Sequence, residues 1–267
     1  FVDIDENTLN INPDLIEEKI NERTKAIIPV HLYGHPADMD PINKIASEFD
    51  LLVFEDAAEA QGASYKGKIT GSLADGAVFS FFGNKIITTG EGGMITTNNR
   101  ELAEKCRVLR DHGMSSNKRY WHEVVGYNYR MTNIQAALGV AQMSKIARII
   151  QRKREIAQEY EKNLKGVPGI QCPPNMPWAE NVYWLYTILI DEAVTNVGAV
   201  ELMSRLKEQG IDSRPVFYPV HTQPIYETNQ SLPVSEKLSA MGVSLPSAPD
   251  IRQEEIERVC RVIASLS

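Results

Sequence analysis

Apolar and polar positions follow two rhythms that alternate through the first half of this chain. Short apolar runs such as Ala26-Ile27-Ile28-Pro29-Val30 and Leu51-Leu52-Val53-Phe54 are separated by stretches whose apolar residues recur every three or four positions. The runs have the length of strands buried on both faces, and the spaced stretches have the period of helices. Asn12-Pro13 reads as the opening of a helix carrying Ile16 and Ile20, and Lys25 to His31 as a buried strand. Asp40-Pro41 reads as an N-cap followed by Pro at the first helical position, ahead of the stripe Ile42, Ile45, Ala46 and Phe49. Leu51 to Asp56 is the next strand. This order predicts a mostly parallel sheet flanked by helices on both faces, with ligands beyond the carboxyl ends of its strands.

The stretch FSFFGNKIITTGEGGM, residues 79–94, ends a third apolar run in Gly83-Asn84-Lys85. A cation at the exit of a buried strand must find a partner, water or a chemical role. Thr132 to Gln135 has the spacing of a capping box and opens a long helical pattern through Ala137, Ala141 and Ile149 into QRKREIAQEYEKNL. The Pro- and Gly-rich residues 166–181 suit a loop. Beyond them come the strand-like YWLYTILI, a helix with Leu202 and Leu206 stopped at Gly210, and a terminal helix. The pattern predicts an α/β protein with a large domain over 1–150, built on the mostly parallel sheet, and a smaller C-terminal α+β domain over 151–267.

Composition narrows the function classes. A net charge of -7 and a pI near 5.4 over 267 residues argue against a nucleic-acid surface or a basic membrane anchor, while leaving room for a local phosphate pocket. Cys106, Cys172 and Cys260 are far apart and form no CxxC pair, so no disulfide framework or metal site is expected, and a reducing, cytoplasmic setting fits. Cys106 and Cys260 fall in helical apolar stripes and read as core. No apolar run approaches the roughly 20 residues that span a bilayer. The chain opens on FVDID, already in strand-like alternation, which leads one to expect an upstream part of a larger domain.

Several constellations invite a chemical reading. GASYKGKI, from Gly62, nearly matches a phosphate-binding loop, but Ile69 stands where a hydroxyl would hold magnesium, and Tyr65-Lys66-Gly67 read instead as a hairpin turn. His31 and His35 are four apart across Gly34, with Pro36 following, so each reads as a satisfied loop histidine. Asp56 is either a helix cap or a carboxylate that keeps a heteroaromatic nitrogen protonated. Lys85, an amine flanked by buried aromatics, can have its pKa lowered enough to act as nucleophile and proton carrier. Together they suggest Schiff-base chemistry.

Three motifs in this order, EDAAEAQGASYKGK, GSLADGAVFSFFGNKIITTGEGGM and YNYRMTNIQAALGVAQ, resemble the DegT/DnrJ/EryC1/StrS sugar aminotransferases. VHLYGHPADMDPI and RPVFYPVHTQPIY extend the resemblance over essentially the whole chain. It implies the fold-type-I architecture and pyridoxal 5′-phosphate as cofactor. It implies amino transfer from L-glutamate to a nucleotide-linked 4-keto-6-deoxy sugar, GDP-4-keto-6-deoxymannose in the subgroup with the best-matching motifs. A UDP-linked sugar and an inactive, cofactor-binding relative are the alternatives, and retention of Lys85 argues against the family's dehydratases, which carry histidine there. By the same resemblance Lys85 carries the cofactor, Asp56 pairs with its pyridine nitrogen, Ser80 bonds its phosphate, and Asn128 reaches that phosphate from the second subunit of a homodimer. Glu59 stands where many relatives have Gln, near the cofactor's phenolic oxygen. A carboxylate there repels a phenolate unless one of them holds a proton. Arg214 and His221 lie where relatives close over substrate, with Arg214 suited to the donor's carboxylate. The family also carries, upstream of the position matched by FVDID, a Gly-Thr turn for the phosphate and a residue that stacks on the ring.

Overall fold

The computed structural model describes residues 1–226 and 229–265. In chain order, β1 (Ala26–Ile27), α1 (Met39–Glu48) and β2 (Leu52–Asp56) lead to a small hairpin of β3 (Ser64–Tyr65) and β4 (Lys68–Ile69). β5 (Gly76–Ser80) and β6 (Gly93–Thr96) follow. β1, β2 and β5 pair in parallel, and β6 adds an antiparallel edge on β5. The alternating apolar pattern thus builds the parallel sheet it predicts, with Asp56 at the end of β2 and Lys85 in the turn beyond β5.

Local details depart from the pattern for identifiable reasons. The stretch from Lys25 to His31 contributes only a two-residue strand, with Ile28 and Val30 being 64% and 40% exposed; Pro29 has no N–H for a ladder. The helix expected after Asn12 is two separate 3-10 turns, Pro13–Leu15 and Glu17–Lys19, and Ile20 leaves in an extended conformation. A single turn without a long apolar face gains too little to propagate. α1 starts at Met39, with Asp38 rather than Asp40 at the N-cap. Asp38 makes no cap bond because its Oδ1 accepts the Tyr65 hydroxyl at 2.5 Å. Ile42, Ile45 and Ala46 are buried as their spacing predicts, but Phe49 is 44% exposed. Lys66 and Gly67 turn the hairpin, both at positive φ (49° and 77°), the geometry a two-residue hairpin loop requires.

The second half comprises α2 (Arg100–Arg110), α3 (Asn133–Met143), α4 (Ile146–Leu164), β7 (Ile170–Gln171), β8 (Ala179–Glu180), β9 (Tyr186–Ile190), α5 (Glu192–Thr195), α6 (Ala199–Glu208), β10 (Arg214–Pro215), α7 (Pro233–Met241), β11 (Gly242–Leu245) and α8 (Gln253–Ala264). Thr132 and Gln135 form the expected capping box of α3. The long helical pattern breaks at Ser144-Lys145, so α3 and α4 are separate helices. β10, β11, β9 and β7 make an antiparallel sheet, onto which Ile156, Tyr160 and Leu164 of α4, Leu202 and Leu206 of α6, and Ile256, Cys260 and Ile263 of α8 pack as one core. Cys106, read as core, is only half-buried. Ile150, six residues before Ile156 on α4, belongs to a different cluster with Ile86, Ile87, Val182 and Trp184.

Residues 166–181 carry more than a loop. β7 pairs with β9, and β8 returns to the first half of the chain to pair with β3. Trp178 lies edge-on to both His35 and Tyr65, at 5.3 and 5.2 Å between ring centroids. His35 anchors this return. Its Nδ1–H donates to Pro36 O at 2.8 Å, its Nε2 accepts the Met176 N–H at 3.2 Å, and burial lowers its pKa to about 4. His31 is equally committed: its Nδ1 accepts the Ala37 N–H at 3.0 Å, which leaves Nε2–H to donate to Glu55 Oε2 at 3.0 Å. Both histidines are satisfied within the fold, as read from the sequence. No helix among the described residues is long and apolar enough to cross a membrane.

Candidate active site

Asp56 and Ser80 end β2 and β5, and Glu59 and Lys85 follow in the turns beyond them. Lys85 Nζ lies 3.7 Å from Glu59 Oε1, both side chains nearly buried, and 3.8 Å from the centroid of the Trp184 ring. Burial pulls the Lys85 pKa below its ordinary value, while the negative charges of Glu59 and Asp56 act against that fall. Burial pushes Glu59 up to about 7, opposed by the Tyr33 N–H and by Lys85. Glu59 Oε2 accepts that N–H at 2.7 Å. Tyr33 can present it because its backbone sits in the left-handed region, φ 55°. The next residue, Gly34, is at φ +99°, and an added Cβ would stand 2.7 Å from Val182 Cγ2. Only glycine meets both demands without strain.

Two further backbone contacts hold Trp184 in place. Its N–H donates to Tyr33 O at 2.8 Å, and its Nε1–H to Asn84 O at 2.7 Å, beside Lys85. Gln61 braces the same turn, donating to Ser80 O and accepting the Ile87 N–H at 3.1 Å.

The donor set suits an aromatic aldehyde cofactor bearing a phosphate. Lys85 offers an amine of lowered basicity. Asp56 uses Oδ1 for the Ala58 N–H at 3.1 Å and has no hydrogen bond to Oδ2 among the described residues. Ser80 Oγ accepts the Phe82 N–H at 3.2 Å, keeping its own proton for a ligand.

The remaining sequence candidates are distributed more widely. Arg214, at the start of β10, lines a cavity of about 890 Å³ together with Lys85 and Trp184. His221 lines a second cavity, about 570 Å³, with Tyr33 and Glu59. Its Nε2 meets Glu236 Oε1 at 2.9 Å, and its buried Nδ1 has no partner among the described residues. Asn128 lies in the loop between α2 and α3, bridged to Asp111, and lines neither cavity. Sequence reasoning missed Tyr33, Trp184 and Lys153. Only Lys153 left a signal: it sits three residues after Ile150 and three before Ile156, an inward position on α4.

A lysine and an acid at the carboxyl ends of parallel strands, on a mostly parallel sheet joined to an antiparallel one, define a fold-type-I pyridoxal phosphate enzyme. The comparisons narrow this class. The DegT/DnrJ/EryC1/StrS aminotransferase family matches residues 1–264. The chain is 46% identical over 264 residues to a GDP-perosamine synthase of Escherichia coli O157:H7, covering 98% of this chain and 71% of that one. It is also 46% identical over 262 residues to a GDP-perosamine synthase of Caulobacter vibrioides, covering 97% and 70%. Helicobacter pylori PseC, an aminotransferase involved in the biosynthesis of pseudoaminic acid, superposes with a TM-score of 0.94 at 28% identity, over all of this chain and 72% of its own. The chain belongs to the DegT/DnrJ/EryC1/StrS aminotransferase family, and its cofactor is pyridoxal 5′-phosphate.

Proposed function

We propose that this aminotransferase moves the amino group of L-glutamate onto GDP-4-keto-6-deoxymannose to give GDP-perosamine, and that it does so as a homodimer with shared sites. The observation that carries the chemistry is the cluster of Lys85, Glu59 and Asp56 under Trp184. The 46% identity to two GDP-perosamine synthases supports the sugar. Bound pyridoxal phosphate supplies a carbonyl carbon for an imine and a ring that withdraws electrons from the donor's α-carbon. Lys85 Nζ carries the cofactor. Nζ, an amine whose basicity burial lowers, would then serve as the base and proton carrier beside the donor's α-carbon. Asp56 Oδ2 holds the pyridine proton, Ser80 Oγ binds the phosphate, and Glu59 holds a proton close to Lys85. Trp184 covers the amine and excludes water from one side, and Arg214 pairs with the donor's α-carboxylate. His221 is assigned to the substrate-closing side of the site.

The dimer is supported by apolar surface that one chain leaves uncovered. Val125, Tyr129, Ile134 and Val140, around Asn128 in sequence, are 90%, 75%, 79% and 73% exposed, more than a lone soluble surface normally tolerates. Asn128 then serves the partner's phosphate. The proposed division, a larger part over 1–150 and a smaller one over 151–267, falls inside α4, with Ile150 in one core and Ile156 in the other, while Val182 and Trp184 return to the first of these cores.

The test is an assay of the cofactor-loaded protein with L-glutamate and a panel of GDP- and UDP-linked keto sugars, read as 2-oxoglutarate formed. Activity confined to GDP-4-keto-6-deoxymannose is expected, and abolished in Lys85→Ala. Turnover of a UDP-linked sugar alone moves the protein to the other substrate class, and unchanged activity in Lys85→Ala refutes the site.

A further inference from the structure

One buried cation plays no part in this chemistry. Lys153 is 4% exposed, because it occupies an inward position among Ile150, Ile156 and Ala157 on α4. Its ammonium donates to Ser247 O and, at 2.9 Å, to Ser247 Oγ. An ammonium has three protons to give, and the third has no partner among the described residues. No carboxylate offsets the charge: burial is the one cause that lowers the Lys153 pKa to about 7. A desolvated ammonium without a counter-charge is costly, and a fold does better by neutralising it or by filling the space beside it with an anion.

The space beside it is the cavity that Lys85 and Trp184 line. Lys153 and Ser247 line the same 890 Å³ cavity as Lys85, Trp184 and Arg214. Arg214 also has no ion-pair partner among the described residues. The acids on that wall do not relieve Lys153: Glu255 is held by Arg252 at 3.0 Å, and Asp212 and Asp250 line the cavity without an ion pair to Lys153. Lys153 and Arg214 face this cavity without an ion pair among the described residues, as does Arg258, which donates to Gln209 O; with Lys85 on the same wall, the cations suit a ligand with two carboxylates and one amino group.

We propose that Lys153 is the recognition site for the second carboxylate of a dicarboxylic amino donor, the one remote from the α-carbon. The inference rests on the proposed use of Lys85 for transamination and of Arg214 for the α-carboxylate. It adds the reason a dicarboxylic donor is preferred over a monocarboxylic one of similar length. Ser247 orients the ammonium, and the incoming carboxylate accepts a hydrogen bond from its third N–H and keeps Lys153 charged.

Two measurements on the cofactor-loaded protein test it. In calorimetry, glutarate is expected to bind wild type at least 10-fold more tightly than butyrate and, near pH 8, to take up protons from buffer. Lys153→Gln should bind the two acids alike with no uptake. Lys153→Arg should keep the preference for glutarate but lose the uptake, since a guanidinium stays charged; it also decides the matter if the Gln variant fails to fold. In donor kinetics, Lys153→Gln should lower kcat/KM for glutamate at least 30-fold, through KM, with 2-aminobutyrate unaffected. A merely structural lysine would change stability and leave both preferences intact, which overturns the inference. If wild type uses glutamate and Lys153→Gln keeps the preference, this inference alone fails; if wild type accepts neither donor, the donor reading fails and takes the inference with it.

Discussion

Protonation of His35 should loosen the return segment that brings Trp184 to Lys85, and its size can be worked out. Both ring nitrogens are in use in the neutral form, Nδ1–H toward Pro36 O and Nε2 toward the Met176 N–H. A second proton would set Nε2–H against that N–H. Burial, with a smaller effect from His31, lowers the His35 pKa from 6.5 to about 4. The folded state therefore binds fewer protons than the unfolded chain between those values. His35 contributes full stability above pH 6.5 and loses it as pH falls toward 4. The whole effect is about 3 kcal/mol, of which about 2 kcal/mol is gone at pH 5. With an urea m-value of roughly 2–3 kcal/mol/M, that lowers the unfolding midpoint by about 0.7–1 M. The assay is urea unfolding followed by tryptophan fluorescence, to which Trp178, edge-on to His35, contributes. Other groups titrate in this range, Glu59 in the opposite sense, so the decisive quantity is the gap between wild type and His35→Gln. The variant should be less stable at pH 7, and the gap should close by about 2 kcal/mol at pH 5. A gap that stays constant across this range refutes the assignment of His35 as a buried neutral anchor.

Other outcomes follow from the same geometry. Gly34→Ala must place a Cβ at φ +99°, 2.7 Å from Val182 Cγ2 and 3.1 Å from two backbone nitrogens; a loss of about 2 kcal/mol or more is expected, seen as a thermal midpoint lower by roughly 4–8 °C. Asp56→Asn should leave the fold intact by circular dichroism but slow the glutamate half-reaction in stopped-flow, because an amide holds a pyridine proton poorly; an unchanged rate returns Asp56 to the role of turn cap shown by its bond to the Ala58 N–H. Lys85→Ala and Asn128→Ala chains, each weak alone, should gain activity on mixing, since a heterodimer restores one site with Lys85 from one chain and Asn128 from the other. Activity no higher than the average of the parents, with mixed dimers present, removes Asn128 from the shared site.

What was legible in the sequence is what local pattern encodes. The alternation of periods gave the parallel sheet, the capping box gave the start of α3, and the Lys66-Gly67 turn gave the β3–β4 hairpin. The places of Asp56 at the end of β2 and of Lys85 beyond β5 were legible because strand ends are local features. Boundaries failed where a distant side chain intervened. Asp38 forgoes its cap bond because Tyr65, 27 residues on, takes its carboxylate. β8 was illegible because two residues in a Pro-rich stretch become a strand only by pairing with β3. Trp184 and Tyr33 escaped notice for the same reason: their roles arise from backbone contacts across the fold.

The bond from Trp184 to Asn84 O spans 100 residues of chain, and it bears on the order in which the site can be assembled. A chain emerging from the ribosome as far as Leu164 already carries Lys85, Glu59 and Asp56. It lacks the indole that covers the amine and the Met176 N–H that holds His35. The loop must close before the amine is shielded, and that closure is a search whose entropy grows only slowly with length. During synthesis, then, Lys85 spends an interval as an open amine, able to meet any aldehyde in its surroundings. It becomes a selective one when the second half of the chain folds back over the first.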